Sequence, residues 1–518
     1  MKEIVLTTIN AKWIHPSLAL RLLKVNLGGL EEKCEIIEFN LRQPLGEKVE
    51  ILLAANPRIL GISISIWNHT STLELLAELE KAWVAHNAPR PIIVLGGPEA
   101  THLPPESAIF QCADHVIRGE GETAFKTLCE NILKVGAQRL PGGIRRGFEN
   151  GQAKACVDKG RDRPAPGGAL LTHISDIIYI NVSAIKAAYH LYTDEDLAKK
   201  LIYVEASRGC PFNCEFCLSS LDSEVREFPL DPFLAQMDEL VSRGAKTFKF
   251  LDRSFNVNIK RAIKIIEFFL EKIEEQKERL VVHFEMVPSI FPDELREALS
   301  RFPPESLRLE IGIQSLNREV CARIGRLCDP EKELDTLRFL REKTNAIIHA
   351  DLIAGLPGED LASFGRGFDR LWQAINSASL YNEAIYNSAL CGTTLAEGEK
   401  PHAPPNRRAE IQLGILKLLP GAPISRRNEA FNMCYNPLPP YEIEETAAVG
   451  AADLCRIRNF ARFWELIVNR GLVNFAPDEQ VFNRFMALSD LLFAHFGRNW
   501  GINRDELLEI LKREGYFN

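Results

Sequence analysis

The sequence predicts an α/β fold: two successive strand–helix regions followed by a mainly helical C-terminal region. Two observations carry this. Short apolar runs of strand length alternate with amphipathic helical runs over residues 1–140, and again over 201–390. From residue 391 onward helical periodicity dominates.

In the first region, Glu3–Thr8 is an apolar run, and an amphipathic helix from Ser17 to Leu27 follows, closed by Gly28-Gly29. Further strand runs are Cys34–Phe39, Ile59–Ser65, Pro91–Leu95 and His115–Ile117. Helices are expected over Thr72–His86 and again from Thr123. Such alternation predicts a parallel, doubly wound sheet, whose ligands bind beyond the carboxyl ends of the strands. Those ends carry Ser63-Ile64-Ser65, Gly96-Gly97-Pro98-Glu99 and Arg118-Gly119-Glu120-Gly121-Glu122. Small residues there let a ligand approach the backbone closely.

Residues 141–200 have the Gly, Pro and charge content of a connector. A small hairpin around Glu149-Asn150-Gly151 and a helix over Asp194–Lys200 are expected within it.

The second region opens on the strand run Leu201–Glu205. The loop Ser207-Arg208-Gly209-Cys210-Pro211-Phe212-Asn213-Cys214-Glu215-Phe216-Cys217 follows, with three cysteines at C-x3-C-x2-C spacing. Thiolates suit iron–sulfur clusters or zinc. A closed structural zinc site takes four protein ligands. Three fit a 4Fe–4S cluster with one iron left open.

A helix over Asp231–Arg243, a strand over Thr247–Leu251 and a helix over Lys260–Lys277 come next. Strand runs follow at Val281–Met286, Leu307–Ser315 and Ala346–Ile353, with a last one near Ala384–Tyr386. Six such units predict a partial barrel with its functional groups at the carboxyl ends of strands. Polar residues at those ends are Asp252, Glu285, Glu310 and Gln314, and Gly355-Leu356-Pro357-Gly358-Glu359 follows the fifth strand. His283 and His349 alternate with apolar neighbours, the pattern of core histidines.

Beyond residue 391, helices are expected over Ala409–Leu419, Glu445–Asn469 and Val481–Phe496. Tyr441, Phe460, Phe463 and Trp464 form a packed apolar face. Cys391 and Cys434 read as core thiols.

Composition is that of a globular chain, 46% hydrophobic and 25% charged over 518 residues. The net charge of −8 argues against a nucleic-acid partner. No apolar run approaches the ~20 residues of a membrane helix, and Met1–Thr8 is too short and soon too polar for a signal peptide. Twelve cysteines in a chain of this length do not suggest a disulfide scaffold. A cytoplasmic protein is expected.

The cysteine loop, with Phe216 just before the last cysteine, resembles the signature of the radical S-adenosylmethionine (SAM) superfamily. That resemblance implies a 4Fe–4S cluster on Cys210, Cys214 and Cys217, with SAM on the open iron. It also implies a partial (β/α)6 barrel and a reductant such as flavodoxin or ferredoxin. Phe216 would lie near the adenine. Asp252 would take the SAM ammonium, where the superfamily often has Gly-Gly-Glu instead. Glu310 and Gln314, in an E-x-G-x-Q-S run, would bind ribose hydroxyls or the methionine carboxylate. The backbone at Gly355 and Pro357 would border the adenine.

Residues 1–140 resemble the Rossmann-like cobalamin-binding domain that precedes many radical SAM domains. Ser63, Ser65, Gly96, Gly97 and Pro98 would then surround the nucleotide tail of cobalamin. Many cobalamin proteins place a cobalt-ligating histidine in D-x-H-x-x-G after the first strand. Here the loop is Asn10-Ala11-Lys12-Trp13-Ile14-His15-Pro16, so His15 is in the right loop at the wrong spacing. The whole chain is similar to a subgroup of these proteins with a C-terminal domain of unknown function, over 391–518. The activity this implies is methyl transfer to an unactivated carbon through a 5′-deoxyadenosyl radical and methylcobalamin. Two other readings stay open: a non-methylating rearrangement or ring closure, and an iron–sulfur sensor without turnover.

Overall fold

The computed structural model describes residues 2–134, 148–149, 152–153, 173–276, 279–376, 409–473, 475 and 480–516. The chain forms two compact units. One comprises residues 1–206 with 226–249, the other 207–225 with 250–518.

The first unit is built on a parallel sheet in the order β2-β1-β3-β4-β5-β8. Its strands are β1 (Ile4–Asn10), β2 (Cys34–Asn40), β3 (Ile59–Ser63), β4 (Ile92–Gly96), β5 (His115–Gly119) and β8 (His173–Ile178). Each lies parallel to its neighbours. Helices α1 (Leu18–Val25), α2 (Leu45–Ala55), α3 (His69–Ala85), α4 (Pro98–His102) and α5 (Glu122–Lys134) connect them. Ser17 starts α1 as its N-cap, its hydroxyl accepting from the Leu20 N–H. One face of the sheet packs Leu60, Ile62 and Ile93 with Leu75 and Leu79 of α3. The other packs Ile4, Leu6 and Val94 with Leu20 of α1 and Phe125 of α5. Both faces are therefore covered, which is why these strands read as continuous apolar runs.

The segment 141–200 contains more than a connector. The short strands β6 (Phe148–Glu149) and β7 (Gln152–Ala153) pair antiparallel around the expected turn. Strand β8 extends the main sheet beside β5. Helix α6 (Asp194–Lys199) has a capping box between Thr193 and Asp196. Buried Arg21 joins Asp196 at 2.8 Å and Glu38 at 2.9 Å, tying α6 to the sheet. Strand β9 (Ile202–Val204) and helix α7 (Leu230–Ser242) follow, with β12 (Thr247–Phe250) next to β9. The short strands β10 (Ser207–Arg208) and β11 (Arg226–Glu227) flank the cysteine loop in sequence.

Among the described residues, the second unit carries four parallel strands, β13 (Val281–Met286), β14 (Leu307–Gln314), β15 (Ile347–Ala354) and β16 (Ala409–Ile415). Helices α8 (Ile259–Gln276), α9 (Asp293–Ser300), α10 (Arg318–Arg323), α11 (Pro330–Lys343) and α12 (Leu361–Ile375) alternate with them. Burial alternates along β13, β14 and β15. Val282, Leu309 and Ile348 are fully buried. The intervening residues include His283, Glu310 and His349, so the opposite face is polar.

The sixth strand–helix repeat differs from expectation. A helix is expected over Ala409–Leu419, yet Ala409–Ile415 is strand β16. Ile411, Leu413 and Ile415 alternate with Glu410, Gln412 and Gly414, which is a period of two. The run Ala384–Tyr386 and Cys391 lie outside the described residues.

Past β16 come helices Ala451–Trp464, Val481–Phe496 and Arg504–Arg513, the first running into a π-turn at Glu465–Asn469. The helix expected from Glu445 starts only at Ala451, because Ile443–Glu445 is a short strand. Phe460, Phe463 and Trp464 are buried as expected. Phe460 stacks on Trp464 at 5.6 Å, and Phe368 of α12 meets Trp464 edge-on at 4.8 Å. Cys434 is exposed rather than a core thiol.

Candidate functional site

Cys210, Cys214 and Cys217 are free, half-buried thiols that line one pocket of the second unit. The loop is shaped by its backbone. Gly209 has φ +91, and a Cβ there would strike the Glu224 carbonyl. The Cys210 N–H donates to Asp222 O at 2.9 Å and the Cys217 N–H to Cys214 O at 3.1 Å. Between the second and third cysteines, the Glu215 N–H donates to Ile324 O at 2.8 Å. Burial raises the Cys214 thiol to about 11, opposed by the nearby Arg326 guanidinium.

The donor set, three thiols lining one pocket, is the soft-ligand chemistry that suits an iron–sulfur cluster.

Phe216, Glu310 and Gln314 line the same pocket. Gln314 sits at φ +67, beside a register shift in the pairing of β14 with β15. Such a bulge re-aims a side chain at a strand end. The Gln314 amide folds over Gly312, where any Cβ would collide with it, so the glycine of E-x-G-x-Q-S has a steric reason.

Asp252, Gly355 and Pro357 are not among the residues lining this pocket. Asp252 is buried and accepts from Ser207 Oγ at 2.6 Å, at the base of the cysteine loop. Gly355, at φ +87, packs against Ile443, and Pro357 O accepts from Arg323. The pocket adds Arg253, Glu285, Arg326 and Asp351. Glu285 was visible as a strand-end residue. Asp351 stood in the fifth strand run without being singled out. Arg253 and Arg326 sit in loops where sequence carries no such signal. Arg253 approaches Glu285 at 3.6 Å, and Arg326 donates to Gly312 O at 2.7 Å.

In the first unit, Thr8, Ser63 and Gly96 occupy one register row at the carboxyl ends of β1, β3 and β4. Gly97 has φ +97, and a Cβ on it would meet Ile64 O and Ser63 Oγ, both at 2.7 Å. The glycine therefore lets the two strand-end loops pack against each other. Pro98 begins α4. Ser65 is buried, its N–H donating to Asn68 Oδ1 at 2.8 Å. Asn68 Nδ2 reaches Ile9 O at 3.0 Å and Thr8 Oγ1 at 3.2 Å, stitching the ends of β1 and β3 together. Sequence reading missed Asn68.

Beyond the same strand ends, Trp13 is 48% exposed and Trp67 52%. The Trp13 ring carries the Lys200 ammonium 4.9 Å from its centroid. His15 is in that loop, but its Nδ1 lies 2.8 Å from the Tyr203 hydroxyl of β9. Burial, then Lys12 and Lys249, lower its pKa.

Comparison with known proteins identifies both parts. Residues 204–370 match the radical SAM superfamily and residues 4–129 match the B12 binding domain. The chain is thus a radical SAM superfamily protein with an N-terminal B12 binding domain. The cofactors that go with these domains are a 4Fe–4S cluster, SAM and cobalamin.

An uncharacterized methyltransferase of Pyrococcus horikoshii, PH0819, is 26% identical over 322 residues, which is 60% of this chain and 63% of that protein. The 2-(S-pantetheinyl)-carbapenam-3-carboxylate methyltransferase of Streptantibioticus cattleyicolor is 24% identical over 62% of this chain and 46% of its own. The matches to both cover less than two thirds of those relatives' length. Among solved structures, the cobalamin-dependent SAM radical enzyme OxsB, with aqua-cobalamin and SAM bound, is similar with a TM-score of 0.60. It is 16% identical and covers 98% of this chain and 75% of that one, which establishes the shared fold.

Proposed function

We propose that this chain is a cobalamin-dependent radical SAM methyltransferase acting on an unactivated carbon. One observation carries the reading: Cys210, Cys214 and Cys217 share a pocket with Phe216, Glu310 and Gln314, in a chain that also has a B12 binding domain. When bound, the cofactors supply one-electron cleavage of SAM and a transferable methyl group, and the protein supplies binding, orientation and exclusion of water. The cysteines hold the cluster. Glu310 and Gln314 orient SAM through its hydroxyls or carboxylate, beside Phe216. Asp252 acts through Ser207 on the cysteine loop rather than on the SAM ammonium. Ser63, Ser65, Gly96, Gly97 and Pro98 border the cobalamin tail, with Trp13 and Trp67 beside them. His15, held by Tyr203, is no cobalt ligand in this reading.

A one-electron reductant such as flavodoxin or ferredoxin serves the cluster in this reading, and the oxygen lability of such a cluster supports a cytoplasmic setting. No helix among the described residues is long and apolar enough to cross a membrane. The test is anaerobic reconstitution, an absorption spectrum, and incubation with SAM and reductant. Cobalamin bands with both 5′-deoxyadenosine and S-adenosylhomocysteine support methyl transfer, and a substrate gains one methylene in mass. Bound cobalamin with a product of unchanged mass would favour rearrangement. No SAM cleavage would sink the enzymatic reading.

A further inference from the structure

Glu215, the residue directly after Cys214, is buried at 3% side-chain exposure, an unusual place for a carboxylate unless it is paired. It is held by a segment more than two hundred residues away in sequence. Arg426 Nη2 donates to Glu215 Oε1 at 2.6 Å. Arg427 adds Nε to Oε2 at 2.9 Å and Nη2 to Oε1 at 2.8 Å, a bidentate pair. The same turn, Pro423–Arg427, donates the Ile424 N–H to the Glu215 carbonyl at 2.8 Å. On the other side, Gly325 at φ +66 packs against the Asn213 carbonyl, where a Cβ would come within 2.5 Å. The stretch between Cys210 and Cys217 is thus gripped from two sides.

We propose that Arg426 and Arg427 are positioning residues for the iron–sulfur cluster, acting through Glu215 on the spacing of Cys214 and Cys217 and on the local charge. This rests on the cluster assignment made above. Two guanidiniums facing one carboxylate leave one net positive charge beside the loop. Reduction adds negative charge to the cluster, and net charge and hydrogen bonding set cluster potentials. The clamp therefore has two separable effects. Its geometry retains the iron, and its charge raises the reduction potential.

The experiment uses the full chain, reconstituted anaerobically. It reads iron release to a chelator and the cluster midpoint potential by redox titration followed by electron paramagnetic resonance. Arg427→Met is expected to release iron about tenfold faster, the loss of a charge-assisted bidentate contact, and to lower the potential. Glu215→Gln releases iron faster as well, but raises the potential. Arg427→Lys keeps the charge without the fork, so it releases iron faster at an unshifted potential. A purely structural loop contact would not move the potential in opposite directions for the two charge changes. Parental iron release in all three variants, or potentials shifting the same way in Arg427→Met and Glu215→Gln, overturns the proposal. If the unaltered chain itself takes up no cluster, the cluster assignment falls with it, and that outcome is distinct.

Discussion

His283 Nε2 of β13 lies 3.3 Å from Glu310 Oε2 of β14, on the polar face of the second unit's sheet. One strand on, His349 Nδ1 approaches Glu410 Oε2 at 3.1 Å, and the two imidazoles are 5.9 Å apart. Barrel interiors are usually filled by branched apolar side chains. Here imidazole–carboxylate pairs stand there instead, and Glu310 also belongs to the cysteine pocket. His283 thus stands within ion-pair distance of a carboxylate expected to meet SAM. Replacing His283 with Ala should weaken SAM binding by roughly tenfold, the cost of one lost contact to a charged group. Equilibrium dialysis with the reconstituted protein checks this, and unchanged affinity would separate His283 from the site.

The three cysteines carry the cluster reading without redundancy. Cys210→Ala, Cys214→Ala or Cys217→Ala alone should abolish the iron–sulfur absorption and SAM cleavage while the chain keeps its helical circular dichroism. The exposed Cys434→Ala should change neither.

Buried Glu359, whose Oε1 accepts from Ser315 Oγ at 2.7 Å, has its pKa raised to about 7, chiefly by burial. A carboxyl that holds its proton in the fold and loses it on unfolding makes stability fall as pH rises from its unfolded value to its folded one. The contribution is present at pH 4.5 and lost through about pH 7. Glu359→Gln should remove that slope and be more stable than the parent at pH 8 by at most ~3 kcal/mol. Denaturant titrations between pH 5 and 8 measure it, and parallel curves for the two proteins would refute the assignment.

Gly97 is a steric requirement of the first unit. Gly97→Ala should cost about 2 kcal/mol through its positive φ and the contacts with Ile64 and Ser63. Gly29→Ala, with open space around it, is the control. A lowered melting temperature with reduced cobalamin retention only in the first variant is the expected outcome.

Much of this was legible locally. The strands of the first unit declare themselves by apolar runs bounded by Gly, Ser and Asp, because both sheet faces are covered. The cysteine spacing and the E-x-G-x-Q-S run needed only neighbours in sequence. Misreadings came where local signals compete. Ala409–Ile415 has enough apolar residues for a helix, and only their alternation marks a strand. Strand β8 follows a Gly- and Pro-rich stretch, so nothing nearby announces its pairing with β5. Asp252 accepts from Ser207 Oγ, Gly355 packs against Ile443 and the Pro357 carbonyl accepts from Arg323, partners distant in sequence that no local motif names.

What the sequence alone determined is the pair of α/β regions, the C-x3-C-x2-C loop and the row of small residues at the first unit's strand ends. These follow from periodicity and from short-range chemistry, in which a residue's role depends on partners a few positions away. Tertiary structure alone decided that Arg426 and Arg427 grip Glu215, that Asn68 stitches β1 to β3, and that His283 stands behind Glu310. Each of those contacts joins residues far apart in the chain. A buried charge or amide takes whichever partner the packed fold brings within hydrogen-bond reach, and no local pattern encodes that choice.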